Sequence, residues 1–186
     1  DPTMNASRRD LLRFASLAPF AAAAAQAQPP GQKSMIGVPF DKKPLVRMGF
    51  IGVGGRGRSQ LQNFTAVDGV SVTALCDISK ESIDRSAKML DKAGLPAATV
   101  YSAGDHAFEA LCKREDIDLI CIATPWNWHV PMAGGAMTHG KHVVVEVPAA
   151  NTIQECWDLV NTSEKTGRHC IQLENCCYGY NEMLIN

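Results

Sequence analysis

The sequence has little net charge and lacks the cysteine spacings of common metal and redox motifs. Its formal net charge is −1 over 186 residues. We find no basic patch of the kind that binds nucleic acid and no charge block typical of a disordered tail. Seven cysteines are present, but none forms a C-x-x-C motif, and we expect no metal site. The 46% of hydrophobic residues favours a globular protein with a sizeable buried core.

The cysteines are predicted to pack as small hydrophobic residues. Cys76, Cys121 and Cys170 fall in predicted buried strands, and Cys112 and Cys156 fall in predicted helices. Cys176 and Cys177 are neighbours in the chain. Two free thiols at a strand end, a vicinal disulfide and a metal site remain alternative interpretations of that pair.

The first 27 residues are predicted to be an export signal rather than part of the fold. Ser7-Arg8-Arg9-Asp10-Leu11-Leu12 is a twin-arginine pattern, and Ala25-Gln26-Ala27 fits an A-x-A cleavage site. The apolar stretch between them, Phe14 to Ala25, is short for a membrane span. We therefore expect the Tat export machinery as a partner and a periplasmic or secreted bacterial protein. An amphipathic N-terminal helix is the alternative.

Residues 28–44, which are rich in proline and glycine, are predicted to be a linker.

A glycine-rich stretch, Gly52-Val53-Gly54-Gly55-Arg56-Gly57, follows the apolar run Val46 to Ile51 and precedes a helical pattern from Ser59 to Val67. It matches G-x-G-x-x-G, the fingerprint of dinucleotide binding. Gly52 would allow the tight turn, Gly54 would let the backbone approach a pyrophosphate, and Gly57 would let the helix pack on the strand. The phosphates would lie on free N–H groups at the helix N-terminus.

An acidic residue stands where this fingerprint requires one. Asp77 ends a second strand pattern, Val70 to Cys76, about 20 residues beyond the last glycine. Its carboxylate would accept hydrogen bonds from the adenosine ribose and would repel a 2′-phosphate, which predicts NAD rather than NADP. The alternative is a glycine-rich turn with an ordinary aspartate at a strand end.

Strand and helix patterns alternate from residue 45 to residue 175, which predicts an α/β protein with a Rossmann-type, doubly wound parallel sheet. Residues 176–186 look like the start of a C-terminal substrate domain that is largely absent from this chain. Because a dinucleotide domain alone does not select a substrate, we expect a fragment whose catalytic residues lie beyond Asn186.

Polar and aromatic residues cluster where strands are predicted to end, which is where ligands bind in open α/β sheets. Trp126, Asn127, Trp128 and His129 follow one strand. Packing on a cofactor ring and bonds to ribose or carboxamide are expected there; two core tryptophans and a helix-capping histidine are the alternative. Glu146 ends the next strand and needs a partner if buried, for example a ribose hydroxyl. Glu174-Asn175 ends the last one, where a nicotinamide or substrate could be reached. For both strand ends, a carboxylate that is simply hydrogen-bonded at the strand terminus is the alternative.

These motifs together resemble the Gfo/Idh/MocA family, which has an N-terminal Rossmann domain and a C-terminal sugar-binding domain. The resemblance rests on Gly52 to Gly57, Asp77, Thr124-Pro125 and the stretch from Gly140 to Glu146. Most members continue with Glu-Lys-Pro, and their lysine lies by the reacting carbon. Here the triplet is Glu146-Val147-Pro148. Because valine cannot donate a proton, ordinary sugar dehydrogenation is in doubt.

The replacement of the usual lysine by Val147 indicates a particular subgroup of this family. The twin-arginine leader, the segment Gly54 to Arg58, Trp126 to His129, Glu146-Val147-Pro148 and Leu173 to Tyr178 together resemble glycosyl hydrolase family 109. That resemblance implies α-N-acetylgalactosaminide glycans as substrate and a bound NAD that is regenerated in each turnover. The cofactor contacts that it implies are Gly55, Arg56, Asp77, Trp126, Asn127, Trp128, His129, Glu146, Val147 and Asn175.

The resemblance also implies a reaction without net redox change. The sugar is oxidised at C3, loses its C2 proton, expels the glycosidic oxygen, adds water and is reduced again. NAD-dependent glycosidases do not use the usual carboxylate pair. An exported Gfo/Idh/MocA-type sugar oxidoreductase is the alternative function, and a non-catalytic dinucleotide-binding protein is a third hypothesis.

Overall fold

An open sheet of parallel strands forms the centre of the fold. The computed structural model describes residues 33–174, and within them six strands lie in the order β3-β2-β1-β4-β5-β6. All neighbouring strands pair in parallel. The order reverses between β1 and β4, as in dinucleotide-binding Rossmann folds. The predicted doubly wound α/β fold is therefore confirmed. The strands are β1 Val46–Ile51, β2 Val70–Cys76, β3 Thr99–Tyr101, β4 Leu119–Ile122, β5 His142–Glu146 and β6 Cys170–Leu173.

Helices connect these strands and cover both faces of the sheet. In the part of the chain that is described, they are α1 Gly55–Thr65, α2 Lys80–Lys92, α3 Phe108–Cys112, α4 His129–Thr138 and α5 Ile153–Thr166. A 3₁₀ turn, Trp126–Trp128, leads directly into α4. No helix among these residues is long and apolar enough to cross a membrane.

Alternate strand residues feed two separate hydrophobic clusters, because successive side chains of a strand point to opposite faces. Ile51, Ile122 and Val145 pack with side chains of α3, α4 and α5. Phe50, Cys121 and Val144 pack on the other face with side chains of α1 and α2. The central strands β1, β4 and β5 are buried over most of their length. That burial explains why the sequence shows them as nearly continuous apolar runs.

Most of the cysteines in the described part pack in the core, as predicted. Cys76, Cys112 and Cys121 are buried, and burial raises the pKa of each of these thiols to about 12. They therefore remain neutral and act as small apolar side chains. Core packing was the wrong prediction for Cys156, which is exposed on α5, because the buried side of that helix is formed by Leu159 and Ser163.

Several element boundaries differ from the sequence pattern. α1 begins at Gly55 rather than Ser59, because the glycines predicted to lie in the turn already form its first helical turn. β5 ends at Glu146, and β6 spans only Cys170–Leu173. The predicted signal at 1–27, the first residues of the linker at 28–44, Asn175 and residues 176–186 lie outside the described residues.

A charge cluster ties the segment before β1 to β4 at the amino edge of the sheet. The Asp118 carboxylate accepts hydrogen bonds from Lys43 Nζ at 2.6 Å and from the Arg47 backbone N–H and Nε, both at 3.0 Å. Its side chain is only 8% exposed. The Arg47 guanidinium, with Lys43 beside it, holds the pKa of Asp118 well below its usual range.

We expect Asp118→Asn to lower the free energy of unfolding by about 1–2 kcal/mol, because the buried carboxylate loses its charge-assisted hydrogen bonds from Arg47 and Lys43, whose side chains are partly exposed. A carboxylate with a depressed folded-state pKa stabilises the fold above its unfolded pKa, about 3.9, and this contribution is lost as pH falls below that value. Denaturant unfolding from pH 2 to pH 7 should therefore show that the unfolding free energy of the variant falls less steeply as the pH is lowered.

Asp84→Asn is the control, since Asp84 pairs with Lys80 on the exposed surface of α2, and it should change stability by less than about 0.5 kcal/mol. Equal effects of the two substitutions would contradict a structural role for Asp118.

Candidate cofactor site

The glycine-rich stretch forms a turn in which backbone packs directly on backbone. Gly52 follows β1 with φ +82°, and a Cβ there would lie 2.6 Å from the carbonyl oxygen of Ala123. A Cβ on Gly57 would overlap the carbonyl oxygen of Gly52. No side chain fits at either position, so the predicted roles of Gly52 in the turn and Gly57 in helix packing are confirmed.

The N-terminus of α1 is open, as is that of α4, in contrast to those of α2 and α5. Gly54 at the N-cap offers no side-chain hydrogen bond, and no acidic residue lies in the first turn. By comparison, Ser79 caps α2, and Thr152 with Glu155 forms a capping box at α5. A Cβ on Gly54 or Gly55 would meet no atom within 4 Å. Uncapped N–H groups beside empty space fit a dinucleotide pyrophosphate.

Asp77 lies beside this turn, at the end of β2. Its Oδ2 accepts a hydrogen bond from the Val53 backbone N–H, and its Oδ1 accepts one from the Ser79 N–H, each at 2.8 Å. Each carboxylate oxygen keeps a second lone pair for another donor. The side chain is half-buried and held by the glycine turn itself. This placement fits the role of ribose acceptor that the sequence predicts.

Glu146, at the end of β5, is bound by residues of α1. Its Oε1 accepts hydrogen bonds from Arg56 Nε at 2.8 Å and from Gln60 Nε2 at 2.5 Å, and its side chain is 8% exposed. The sequence correctly indicates that this carboxylate needs a partner, but the proposed ribose hydroxyl is not required to fill that role. The sequence motifs did not indicate Gln60 as a partner of Glu146. Gln60 lies four residues after Arg56 and therefore on the same face of α1, and this spacing could have indicated it.

The Arg56–Glu146 pair connects two ends of the candidate site. Arg56 lies in the uncapped first turn of α1, and Glu146 lies at the end of β5, beyond β4 from the glycine turn. Arg56 is 42% exposed, so its guanidinium remains at the edge of the cradle while Nε is engaged. A cation there adds to the attraction of the helix N-terminus for phosphate.

The segment Trp126 to His129, which follows β4 after three intervening residues, has two exposed and two anchored positions. Trp126 is 62% exposed, and Asn127 is also exposed. Trp128 packs edge-on against Phe108, with ring centroids 6.2 Å apart, and against His106 at 5.7 Å. The sequence treats the two tryptophans alike, but the structure leaves only Trp126 with a largely open ring.

His129 is a structural brace. Its ring is completely buried, with Nδ1 2.7 Å from the carbonyl oxygen of Pro148 and Nε2 2.9 Å from that of Thr124. Each ring nitrogen therefore faces a backbone carbonyl oxygen, and a neutral ring donates its one N–H to one of the two. The contact of His129 with ribose or carboxamide stays a prediction. The ring joins the segment after β4 to the segment after β5. Val147, which precedes Pro148, is half-buried at this junction.

Gly55 provides a test of the cradle that separates cofactor binding from folding. We expect Gly55→Leu to keep its unfolding free energy within about 1 kcal/mol, because its first side-chain atom enters open space in a helical position. The same substitution should weaken NAD binding at least about tenfold, because the side chain would occupy the space beside the N–H groups. Titration calorimetry with NAD and denaturant unfolding measure the two effects.

Gly134→Ala in α4 is the matched control, because a Cβ there also meets nothing within 4 Å. It should leave NAD affinity unchanged. Unaltered NAD binding in Gly55→Leu would place the cofactor elsewhere.

Asp77→Ala should weaken NAD binding roughly 10- to 100-fold, the loss expected when hydrogen bonds to a charged acceptor are removed. It should also narrow the difference between NAD and NADP affinity, because the carboxylate that repels a 2′-phosphate is gone. Parallel titrations with both cofactors test this, with Asp91→Ala on α2 as the control. If both affinities are unchanged, Asp77 does not face the ribose.

Comparison with known proteins agrees with this geometry. Residues 46–173 match the family described as "Oxidoreductase family, NAD-binding Rossmann fold", Gfo/Idh/MocA. A solved NAD-binding protein from Listeria innocua superposes with a TM-score of 0.65 at 25% identity, over 77% of this chain and 39% of that one. NAD is therefore the cofactor of this domain, and its preference over NADP remains a prediction.

Curated relatives narrow the similarity within the family. A glycosyl hydrolase family 109 protein of Solibacter usitatus is 58% identical over 96% of this chain, and one of Saccharopolyspora erythraea is 50% identical over 96%. This chain spans 41% of the length of each. The resemblance to family 109 drawn from the motifs is thus confirmed. With its parallel sheet, its glycine cradle and the match over residues 46–173, the chain belongs to the Gfo/Idh/MocA oxidoreductase family.

Proposed function

We propose that the protein carrying this chain is an NAD-dependent glycoside hydrolase that removes terminal α-N-acetylgalactosamine residues. The observation that carries the proposal is Val147, between Glu146 and Pro148 at the end of β5. Most members of the resembled family have a lysine at this point, and valine can neither donate a proton nor stabilise an alkoxide. The high identity to proteins named glycosyl hydrolase family 109 supports the same choice.

The engagement of two carboxylates at this edge supports a cofactor-based mechanism. Ordinary glycosidases use two carboxyl groups as acid and base or nucleophile. Asp77 accepts hydrogen bonds from two backbone N–H groups, and Glu146 is held by Arg56 and Gln60. The fold thus fixes both carboxylates in place, and the lone pairs that they keep suit them to accept hydrogen bonds from a bound cofactor.

The residues of this chain would bind and orient rather than perform acid–base chemistry. The first turn of α1 would bind the pyrophosphate, Asp77 the adenosine ribose, and the segments after β4 and β5 the nicotinamide side. When bound, NAD supplies reversible oxidation at C3 of the sugar, which makes the C2 proton acidic enough to remove. Asn175, which lies outside the described residues, remains a predicted contact.

We also propose export by the Tat machinery to the periplasm or the exterior. The twin-arginine pattern at Ser7 to Leu12 and the A-x-A pattern at Ala25 to Ala27 support it. Export of a folded protein suits a tightly held cofactor, because the dinucleotide can be bound before translocation.

Hydrolysis without added cofactor tests the proposal. The whole protein, purified with its bound NAD, should release nitrophenol from a nitrophenyl α-N-acetylgalactosaminide with no net rise in NADH absorbance. In D₂O the released sugar should carry deuterium at C2, because that proton is exchanged, and none at C3, because that hydrogen is returned. Mass spectrometry and proton NMR of the product measure both.

Asp77→Ala links this activity to the cofactor. It should be slow without added NAD and recover as NAD is raised, whereas Asp91→Ala should behave as the wild type. Stoichiometric NADH accumulation with free sugars and no glycoside cleavage would instead identify the alternative, a sugar oxidoreductase. Cleavage without deuterium at C2 would contradict the elimination mechanism.

A further inference from the structure

A cluster of three aromatic rings lies at the amino edge of the sheet, opposite the candidate cofactor site. His142 begins β5, His169 immediately precedes β6, and Phe40 belongs to the segment before β1. The two imidazole rings are stacked, with centroids 5.2 Å apart and an angle of 24° between their planes. The centroid of the Phe40 ring lies 3.9 Å from that of His169 and 5.2 Å from that of His142. Phe40 therefore packs on both histidines.

Phe40 helps to hold a segment that has no regular secondary structure. Residues 35–45 contain neither a strand nor a helix, so contacts of their side chains contribute to their attachment to the sheet. Lys43 donates to Asp118 at one point, and Phe40 packs on the histidines at another. Because Phe40 is still 50% exposed, its contact with the two rings is one that a local change can break.

The ring of His142 lies between two hydrogen-bond donors. Its Nδ1 accepts a hydrogen bond from the His169 backbone N–H at 3.1 Å, and its Nε2 lies 3.4 Å from Nη1 of Arg168. A neutral imidazole can meet the first donor, because one of its nitrogens is an acceptor, whereas a protonated imidazole has an N–H on both nitrogens. It would point one of them at the His169 N–H and the other at the Arg168 guanidinium. This position therefore suits the neutral ring.

The surroundings of His142 also disfavour a positive charge on its ring. Burial lowers the pKa of this imidazole below its usual value, and positive charge on Arg168, His169 and Lys43 lowers it further. Asp41 acts in the opposite direction. An exposed imidazole gains its proton as the pH falls below about 6.5. The docked ring resists that proton, so the docked arrangement loses stability relative to an open one as the pH falls below this value.

We propose that His142 is a pH switch, which keeps Phe40 docked while its ring is neutral and releases Phe40 when the ring is protonated. To move its two N–H groups away from the two donors, the protonated ring must rotate or leave its position. Either movement disrupts the stack on which Phe40 packs, because His142 contacts both His169 and Phe40. The switch does not depend on the proposed hydrolase function.

The release is confined to the residues before Lys43. The Asp118 carboxylate, which binds Lys43, has a pKa well below its usual range, so it stays charged in mild acid. The contacts of Lys43 and of Phe40 therefore respond to different ranges of pH. In mild acid, the peptide bond after Phe40 becomes accessible while β1 remains paired in the sheet.

Cleavage by chymotrypsin measures this release, because the protease cuts after phenylalanine and must take the whole ring into its pocket. The whole protein is treated at about pH 7.5 and at about pH 5, on either side of the usual histidine pKa. A synthetic peptide of residues 35–45 corrects for the pH dependence of the protease itself. We expect cleavage after Phe40, relative to the peptide, to be at least about tenfold faster in acid.

His142→Asn keeps an acceptor near the position of Nδ1 but cannot be protonated. Its cleavage after Phe40 should differ less than about twofold between the two pH values. His106→Asn, which removes an exposed histidine that pairs with Glu109, is the matched control and should keep the response of the wild type.

Three outcomes would overturn the proposal. The first is cleavage of the wild type that does not rise in acid, and the second is a full rise in His142→Asn. The third is cleavage at many sites together with loss of the circular dichroism signal in acid, because that result would show unfolding of the whole protein instead of release of one segment.

Proton NMR titration of the imidazoles is a second readout that does not require a His142 variant to fold. Because docking of Phe40 and protonation of His142 oppose each other, removal of the Phe40 ring must make protonation easier. Phe40→Ala should therefore raise the midpoint of the His142 titration by about 0.5 pH units or more. Ile36→Ala, which truncates a side chain that is 92% exposed in the same segment, is the control and should leave the midpoint unchanged. An unchanged midpoint in Phe40→Ala would contradict the coupling and overturn the proposal.

Discussion

Direct contact between backbone segments at Gly52, Gly57 and Ala123 is the constraint on which the site depends. Because a Cβ on Gly57 would overlap the Gly52 carbonyl oxygen, the first turn of α1 can approach the end of β1 only with glycine there. That approach directs the uncapped N–H groups of α1 to the carboxyl edge of the sheet. It also places the Val53 N–H where Asp77 can accept its hydrogen bond. The candidate phosphate cradle and the carboxylate predicted to accept from the ribose are thus held by the same turn.

Two further connections extend this edge from β2 to β5. The Glu146 carboxylate joins the end of β5 to α1 through Arg56 and Gln60. The buried ring of His129 joins the segments after β4 and β5 through two backbone carbonyl groups. Both devices are buried and hydrogen-bonded, so they fix geometry rather than react. A cofactor that spans this edge would meet a surface whose parts are already held in register, which reduces the ordering required on binding.

Few ionisable groups are left open at this edge of the sheet, and this limits the chemistry that this part of the protein can perform. Asp77 and Glu146, the carboxylates that face the cradle, are both occupied by donors of the fold, and Val147 has no ionisable group. The open groups at the β4–β5 side are instead an indole and a carboxamide, those of Trp126 and Asn127. Such groups orient neutral, hydroxylated ligands well but transfer protons poorly at neutral pH. A domain of this kind is suited to bind the cofactor and to orient the ligand beside it.

The sequence by itself determined the fold and the start of the cofactor site. Alternating apolar runs and helical patterns specify a parallel sheet, and the spacing of Gly52, Gly57 and Asp77 is a local signal with a fixed structural meaning. Tertiary structure alone decided which distant groups meet. The partners of Glu146 come from α1, some 86 residues earlier for Gln60, and both nitrogens of His129 face backbone carbonyls. The spacing of Arg56 and Gln60 shows that they share one face of α1, but not that this face meets Glu146, because side-chain partners on separate elements are set by how the helices pack on the sheet.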